Sequence, residues 1–198
     1  ADDAARIGAR LAQLLGVPAT RDGIAEVPVA RFLQAQARID AELMASPDPA
    51  LWGAEVVASV MPFHPVVDGA VLPAAPIDRI GAGAGADVDV LVGTNADDWR
   101  FSPVLGGFIE QITEDVLAGP VGIYGFWSIA AYGLDAESVL PHYRAATRFG
   151  PAPGDVLGAV MTDWWVRVPA MRLADAHAPG PGGTFMYEFA WPSPIMGG

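Results

Sequence analysis

Apolar residues at Ile7, Leu11, Leu14 and Leu15 recur at i, i+4, i+7 and i+8, the spacing that lines one side of a 3.6-residue helix. Asp2 and Asp3 stand where the helix dipole favours negative charge, and Gly16 and Pro18 stop the pattern. A second helix is predicted from Pro28, with Val29, Phe32, Leu33, Gln36, Ile39 and Leu43 along one face, ending at "SPDPA", residues 46–50. The pattern then changes. "MPFHPVVDGAVLPAAP" (61–76) holds four prolines, which deny a helix, and Asp68-Gly69 signals a tight turn.

Small residues next lead into Val88, Val90, Leu91 and Val92, which read as a buried parallel strand over Val88–Thr94. Helices are predicted over Ile109–Leu117, Ala136–Arg148 and Asp155–Ala176, the last bending at Pro169. The aromatic-rich "TFMYEFAW" (184–191) reads as a second buried strand, centred on Phe185–Trp191. Strand, helices, strand is an α/β order with crossover connections. Residues 116–134 run 19 positions without a charge, long enough for a membrane span. Pro120, four glycines and the flanking Asp115 and Asp135 point instead to a buried helix-turn segment and no span.

Composition sharpens this picture. A chain of 198 residues suits one domain, or a piece of a larger one, and it is read here as a single segment over 1–198. Charged residues are 17% and hydrophobic ones 52%, so much apolar surface needs a cover that this chain need not contain. Eleven basic residues against 23 acidic ones give a net charge of -12, and the basic ones are scattered, which argues against nucleic-acid binding. With no cysteine, disulfides, thiolate nucleophiles and zinc-cysteine sites are excluded. The acidic N-terminal stretch does not read as a signal peptide.

Few residues suggest chemistry by type and spacing. None of the six serines lies in a G-x-S-x-G elbow, the strained turn that exposes a hydrolase nucleophile. The three histidines read as a turn residue (His64), a surface helix residue (His142) and a cation at a helix C-terminus (His177). Their spacing forms no metal site. Gly81, Gly83 and Gly85 precede the strand, where a phosphate-binding loop would follow it, so no dinucleotide cofactor is expected. Asp87, Asp89, Asp97 and Asp98 lack the order of a calcium loop. Asp97 and Asp98, just past the first strand, suit either capping of the next helix or a catalytic role.

Four blocks occur in order: "FHPVVDGAVLPAAP" (63–76), "VLVGTNADDWRF" (90–101), "MTDWWVRVPAMRLADAHA" (161–178) and "FMYEFAWPSP" (185–194). Together they resemble the later part of the type-B carboxylesterase family, the α/β-hydrolases that include cholinesterases. The resemblance implies a partial α/β-hydrolase fold, parallel strands with packed helices, taken from the C-terminal side of the domain. It implies hydrolysis of a small-molecule carboxylic ester by a Ser-acid-His mechanism, without a cofactor. The serine elbow is expected upstream of these residues and the histidine downstream, so this slice would hold only the acid and be inactive alone.

The family usually reads Asp-Glu-Gly where this chain has Asp97-Asp98-Trp99, which gives Asp98 the acid's role. Asp98 is one methylene shorter than glutamate, and Trp99 brings bulk where the family has none. Trp99 and Phe101 are candidates for an acyl or alcohol pocket, or for core packing. A non-catalytic binding module derived from the same fold is the alternative function. A split sheet should also expose strand edges and apolar surface, so the fragment is expected to self-associate.

Overall fold

The computed structural model describes residues 2–118, 133–146, 150–192 and 194. The chain divides into two compact units, Ala1–Ala74 and Ala75–Gly198.

The first unit is helical: α1 (Asp2–Leu15), α2 (Arg21–Ala25), α3 (Val29–Ala45), α4 (Pro49–Trp52) and α5 (Ala54–Ser59). The predicted stripe of α1 is buried, with Ile7, Leu11 and Leu15 packing on Ala35, Ile39 and Leu43 of α3 and closing over Trp52 and Val56. The stripe expected on α3 is narrower than the sequence suggested. Val29 and Leu33 face out, because the seam runs through Phe32, Ala35, Ile39 and Leu43 and a neighbouring position lies about 100° around the helix. A fork from Arg10 to Glu42, at 2.9 and 2.6 Å, ties α1 to α3.

The shorter helices are made by their caps. Thr20 accepts from the Gly23 N–H at 3.1 Å, and Asp48 accepts from the Ala50 N–H at 2.8 Å ahead of Pro49. The Asp68-Gly69 turn is present as predicted. One Asp68 oxygen accepts the N–H groups of Ala70, Val71 and Leu72 at 2.9, 2.9 and 3.0 Å, and Gly69 takes φ +78°.

The second unit contains α6 (Pro76–Gly81), β1 (Val90–Asn95), a 3₁₀ turn (Asp98–Arg100), α7 (Phe101–Leu105), a second 3₁₀ turn (Ile109–Gln111), α8 (Glu114–Ala118) and α9 (Ala136–Ala146). It continues through α10 (Pro153–Thr162), a π-turn (Asp163–Arg167), α11 (Val168–His177) and β2 (Thr184–Phe189). β1 and β2 pair in parallel, from Val90 opposite Thr184 to Asn95 opposite Phe189. Each strand is shorter than expected by about two residues at one end: β1 starts at Val90 and β2 stops at Phe189.

Both strands were expected to be buried, and one face of each is not. Since side chains alternate, Val90, Val92 and Thr94 share a face with Thr184, Met186 and Glu188, and α11 packs there, joined by His177 to Thr184. The opposite face carries Leu91, Phe185, Tyr187 and Phe189, each more than half exposed, with Leu91 at 70%. A two-stranded sheet with its helix on one side leaves this aromatic face open.

The predicted helix over Ile109–Leu117 is split. The 3₁₀ turn stops at Gln111, and Thr113 starts α8, its carbonyl taking the Leu117 N–H at 2.9 Å and its hydroxyl the Val116 N–H at 3.4 Å. Where a bend at Pro169 was expected, the long helix carries a π-turn over Asp163–Arg167, just before that proline. Proline offers no N–H and crowds the carbonyl four residues back, and the wider π-turn relieves this by bonding the Val168 N–H to the Asp163 carbonyl.

α10 supplies most of the second core, with Val156, Leu157, Val160 and Met161 packing on Ile112 and Leu117. Of the uncharged run 116–134, residues 119–132 lie outside the described residues, as do 147–149 at the end of the helix expected to reach Arg148. Among the described residues no helix is long and apolar enough to cross a membrane.

Candidate active site

The ladder between the strands sets the geometry at the end of β1. Val90 donates to the Gly183 carbonyl at 2.8 Å and Ala96 to the Phe189 carbonyl at 2.9 Å, so even-numbered N–H groups face β2 and odd-numbered ones face away. Asn95 is therefore left with an outward N–H. Its acceptor is Asp98, whose Oδ2 lies 2.7 Å away, while the Asn95 side-chain amide donates to Oδ1 of the same carboxylate.

Asp98 thus folds back over the carboxyl end of a parallel strand. Neither aspartate caps the helix that follows: Asp97, at the N-cap of the 3₁₀ turn, makes no side-chain cap bond, and both Asp98 bonds go to Asn95. A carboxylate presents about four acceptor sites, of which Asn95 takes two. The half-buried carboxylate can accept a further N–H donor.

α10 and the π-turn hold this turn in place. Thr162, only 1% exposed, accepts the Trp99 N–H at 3.2 Å and donates to the Gly158 carbonyl at 2.8 Å. Arg100 pairs with Asp155 of α10, and Arg167 donates to the Ala96 carbonyl at 2.8 Å. Asp163 pairs with Arg167 and accepts the Tyr143 hydroxyl of α9 at 2.8 Å. Burial, then the bond to Asp163, pushes the Tyr143 hydroxyl well above its ordinary pKa of 10.0.

These supports carried no signal in the sequence. Asn95 read only as a turn residue, and Thr162, Asp163 and Arg167 sat unremarked inside the "MTDWWVR" block.

Trp99 packs against the second core beside Phe108 and Tyr143, so its bulk goes inward. Phe101 does not take the core position it shared as a candidate. It is 69% exposed at the start of α7, while Pro103, on another side of that short helix, is buried.

The histidines fall in three settings. His64 donates from Nδ1 to the Met61 carbonyl at 2.8 Å within the extended segment, in line with a turn residue, and His142 is exposed on α9. His177 lies at the helix C-terminus as expected, but that end is not open. It is 4% exposed, with Nδ1 2.8 Å from the Thr184 hydroxyl and Nε2 donating to the Gly85 carbonyl at 3.3 Å. The helix end is covered by the loop before β1 and by the start of β2. His177 thereby clamps the amino ends of the strands, roughly 16 Å of strand away from Asp98 at their carboxyl ends. Among the described residues no three His, Asp or Glu side chains converge as a metal site requires.

Known proteins share the fold of this chain. Two solved structures of the Geobacillus stearothermophilus carboxylesterase EST55 superpose on the chain, both at 20% identity. The structure at pH 6.2 covers 97% of this chain with a TM-score of 0.62, and the one at pH 6.8 covers 95% with 0.52. The chain spans about a third of their length, 35% and 33%. That likeness establishes a partial α/β-hydrolase fold, with a small parallel sheet and packed helices. The model of the carboxylesterase family itself matches residues 2–196, and with nearly every residue inside that match the chain belongs to the carboxylesterase family.

Proposed function

We propose that this chain supplies the acid of a Ser-acid-His carboxylic ester hydrolase, that Asp98 is that acid, and that the serine and histidine come from polypeptide outside these 198 residues. The observation that carries the reading is the attitude of Asp98: just past the carboxyl end of a parallel strand, braced by Asn95 through both oxygens, with acceptor capacity left over. In α/β-hydrolases the acid follows the serine and precedes the histidine in chain order. The absence of a G-x-S-x-G elbow, and a His177 tied up at the far end of the strands, support assigning only the acid to this chain.

In the proposed reaction Asp98 accepts the imidazole N–H, which fixes the tautomer. It then stabilises the imidazolium formed when the serine hydroxyl gives up its proton to attack the ester carbonyl. An acid alone orients nothing, so the 198-residue chain is expected to hydrolyse a nitrophenyl ester no faster than buffer and to show no acyl-enzyme burst. Turnover by this chain that Asp98→Ala abolishes would overturn that division of roles. Coding sequence on both sides lacking elbow and histidine would instead favour the binding-module reading.

A further inference from the structure

Arg167 closes the π-turn, and its guanidinium is shared among three parts of the second unit. One nitrogen pairs with Asp163, one turn earlier. The other donates to the Ala96 carbonyl at 2.8 Å and to Glu188 Oε1 at 3.0 Å. Ala96 links β1 to the turn that carries Asp98, and Glu188 stands on β2 opposite Thr94, one residue from that strand's end. Asp163 is itself fixed by the Tyr143 hydroxyl, so the guanidinium is anchored from α9 as well as from its own helix. A planar fork with five donors can serve these acceptors together, whereas an ammonium on a flexible stem cannot hold them in one plane.

The geometry points to Arg167 as a positioning residue for the acid. It fixes the turn 95–98, and with it the direction of the Asp98 carboxylate, relative to the carboxyl end of β2. Its hydrogen bonds go to Ala96, Asp163 and Glu188, so it acts on Asp98 through the turn. This rests on the acid role proposed for Asp98, whose base would follow β2. Pro169 is the sequence cause: it enforces the π-turn that ends at Arg167, and turns of this kind recur at functional sites.

The test is nuclear magnetic resonance on the 198-residue chain, reading the Asn95 backbone amide and side-chain NH₂, both of which donate to Asp98. Asp98→Ala marks the released position of both signals. Arg167→Met is expected to speed exchange of the Asn95 amide about 10-fold, the loss of a charge-assisted bond, and to move the side-chain signal toward that of Asp98→Ala. The Leu157 and Met161 amides of α10 should stay protected. Arg167→Lys should keep the protection of α11 and leave the Asn95 signals displaced.

Glu188→Ala, at a half-exposed position, should move the Asn95 signals the same way by a smaller amount, about 3-fold in exchange. Unchanged Asn95 signals in Arg167→Met or Glu188→Ala would overturn the proposal. So would equal loss of protection at Leu157 and Met161, or full recovery with lysine. None of these readouts involves ester turnover, so failure of the acid reading would show separately, in the activity of Asp98 variants.

Discussion

Replacing Thr162 by valine exchanges a hydroxyl for a methyl in a site that is 1% exposed, with almost no change of volume. The side-chain oxygen makes two bonds. The one to the Gly158 carbonyl is expendable, because that carbonyl lies inside α10 and keeps its ladder bond. The one from the Trp99 N–H joins α10 to the turn that carries Asp98, alongside the Arg100–Asp155 pair, and valine removes that acceptor. Losing this acceptor at a half-buried N–H costs about 1–3 kcal/mol, from which valine recovers a few tenths by ending the hydroxyl's competition with the helix backbone. The expected net loss is about 2 kcal/mol.

Thr162→Ser keeps the oxygen and removes one buried methyl, a loss of about 0.8 kcal/mol. Urea unfolding at neutral pH, with a slope of about 2 kcal/mol per molar, should therefore lower the midpoint of the second unit by about 1 M for valine and by less than half of that for serine. If the valine variant is as stable as the serine variant, the Thr162–Trp99 bond does not hold the turn, and the account of how α10 fixes Asp98 is wrong.

Three further outcomes are expected. Because the fold holds the Tyr143 proton above its ordinary pKa, its stabilisation is whole below pH 10 and is lost as pH rises beyond it; thermal melts between pH 9 and about 11.5 should fall more steeply for the parent chain than for Tyr143→Phe. Gly154→Ala would drive a Cβ into the Ile109 carbonyl oxygen and should destabilise by about 1–3 kcal/mol in urea titration, whereas Gly158→Ala, whose Cβ would meet nothing within 4 Å beyond its own helix backbone and chain neighbours, should be neutral or stabilising by up to about 1 kcal/mol. The open sheet face should drive self-association in sedimentation velocity, and Leu91→Lys with Phe185→Lys should favour monomer even though both changes reduce a net charge of -12; a parent chain that sediments as a monomer would refute this.

Legibility in the sequence followed the strength of local signals. The α1 stripe of Ile7, Leu11 and Leu15 and the Asp68-Gly69 turn were plain because local spacing and turn chemistry alone produce them. The short helices α4, α5 and α6 were invisible, since four to six residues complete less than two turns of any periodicity. Val29 and Leu33 looked like core on α3, but which side of a broad stripe is buried depends on the partner helix. His177 shows the same limit: its helix-end position was readable, and its burial against Thr184 and Gly85 comes from residues 7 and 92 positions away.

The site divides along that line. Asp98 was singled out through the wording of its block, while the groups that bond around its turn had no signal of their own. Asn95 acts from only three residues away through a bond that no spacing rule flags, while Thr162 and Arg167 act through long-range pairings, with 63 and 71 residues separating Trp99 from Thr162 and Ala96 from Arg167.

The most direct measurement of the central claim is turnover of a nitrophenyl ester by the product in which these residues are joined to the polypeptide bearing serine and histidine. Asp98→Asn keeps the shape of the side chain and removes its charge. The account predicts a fall in kcat on the order of 10⁴-fold, as for a triad acid turned to an amide, with Asp98→Glu retaining most activity. An Asp98→Asn enzyme that folds normally and turns over within about 10-fold of the parent would contradict it.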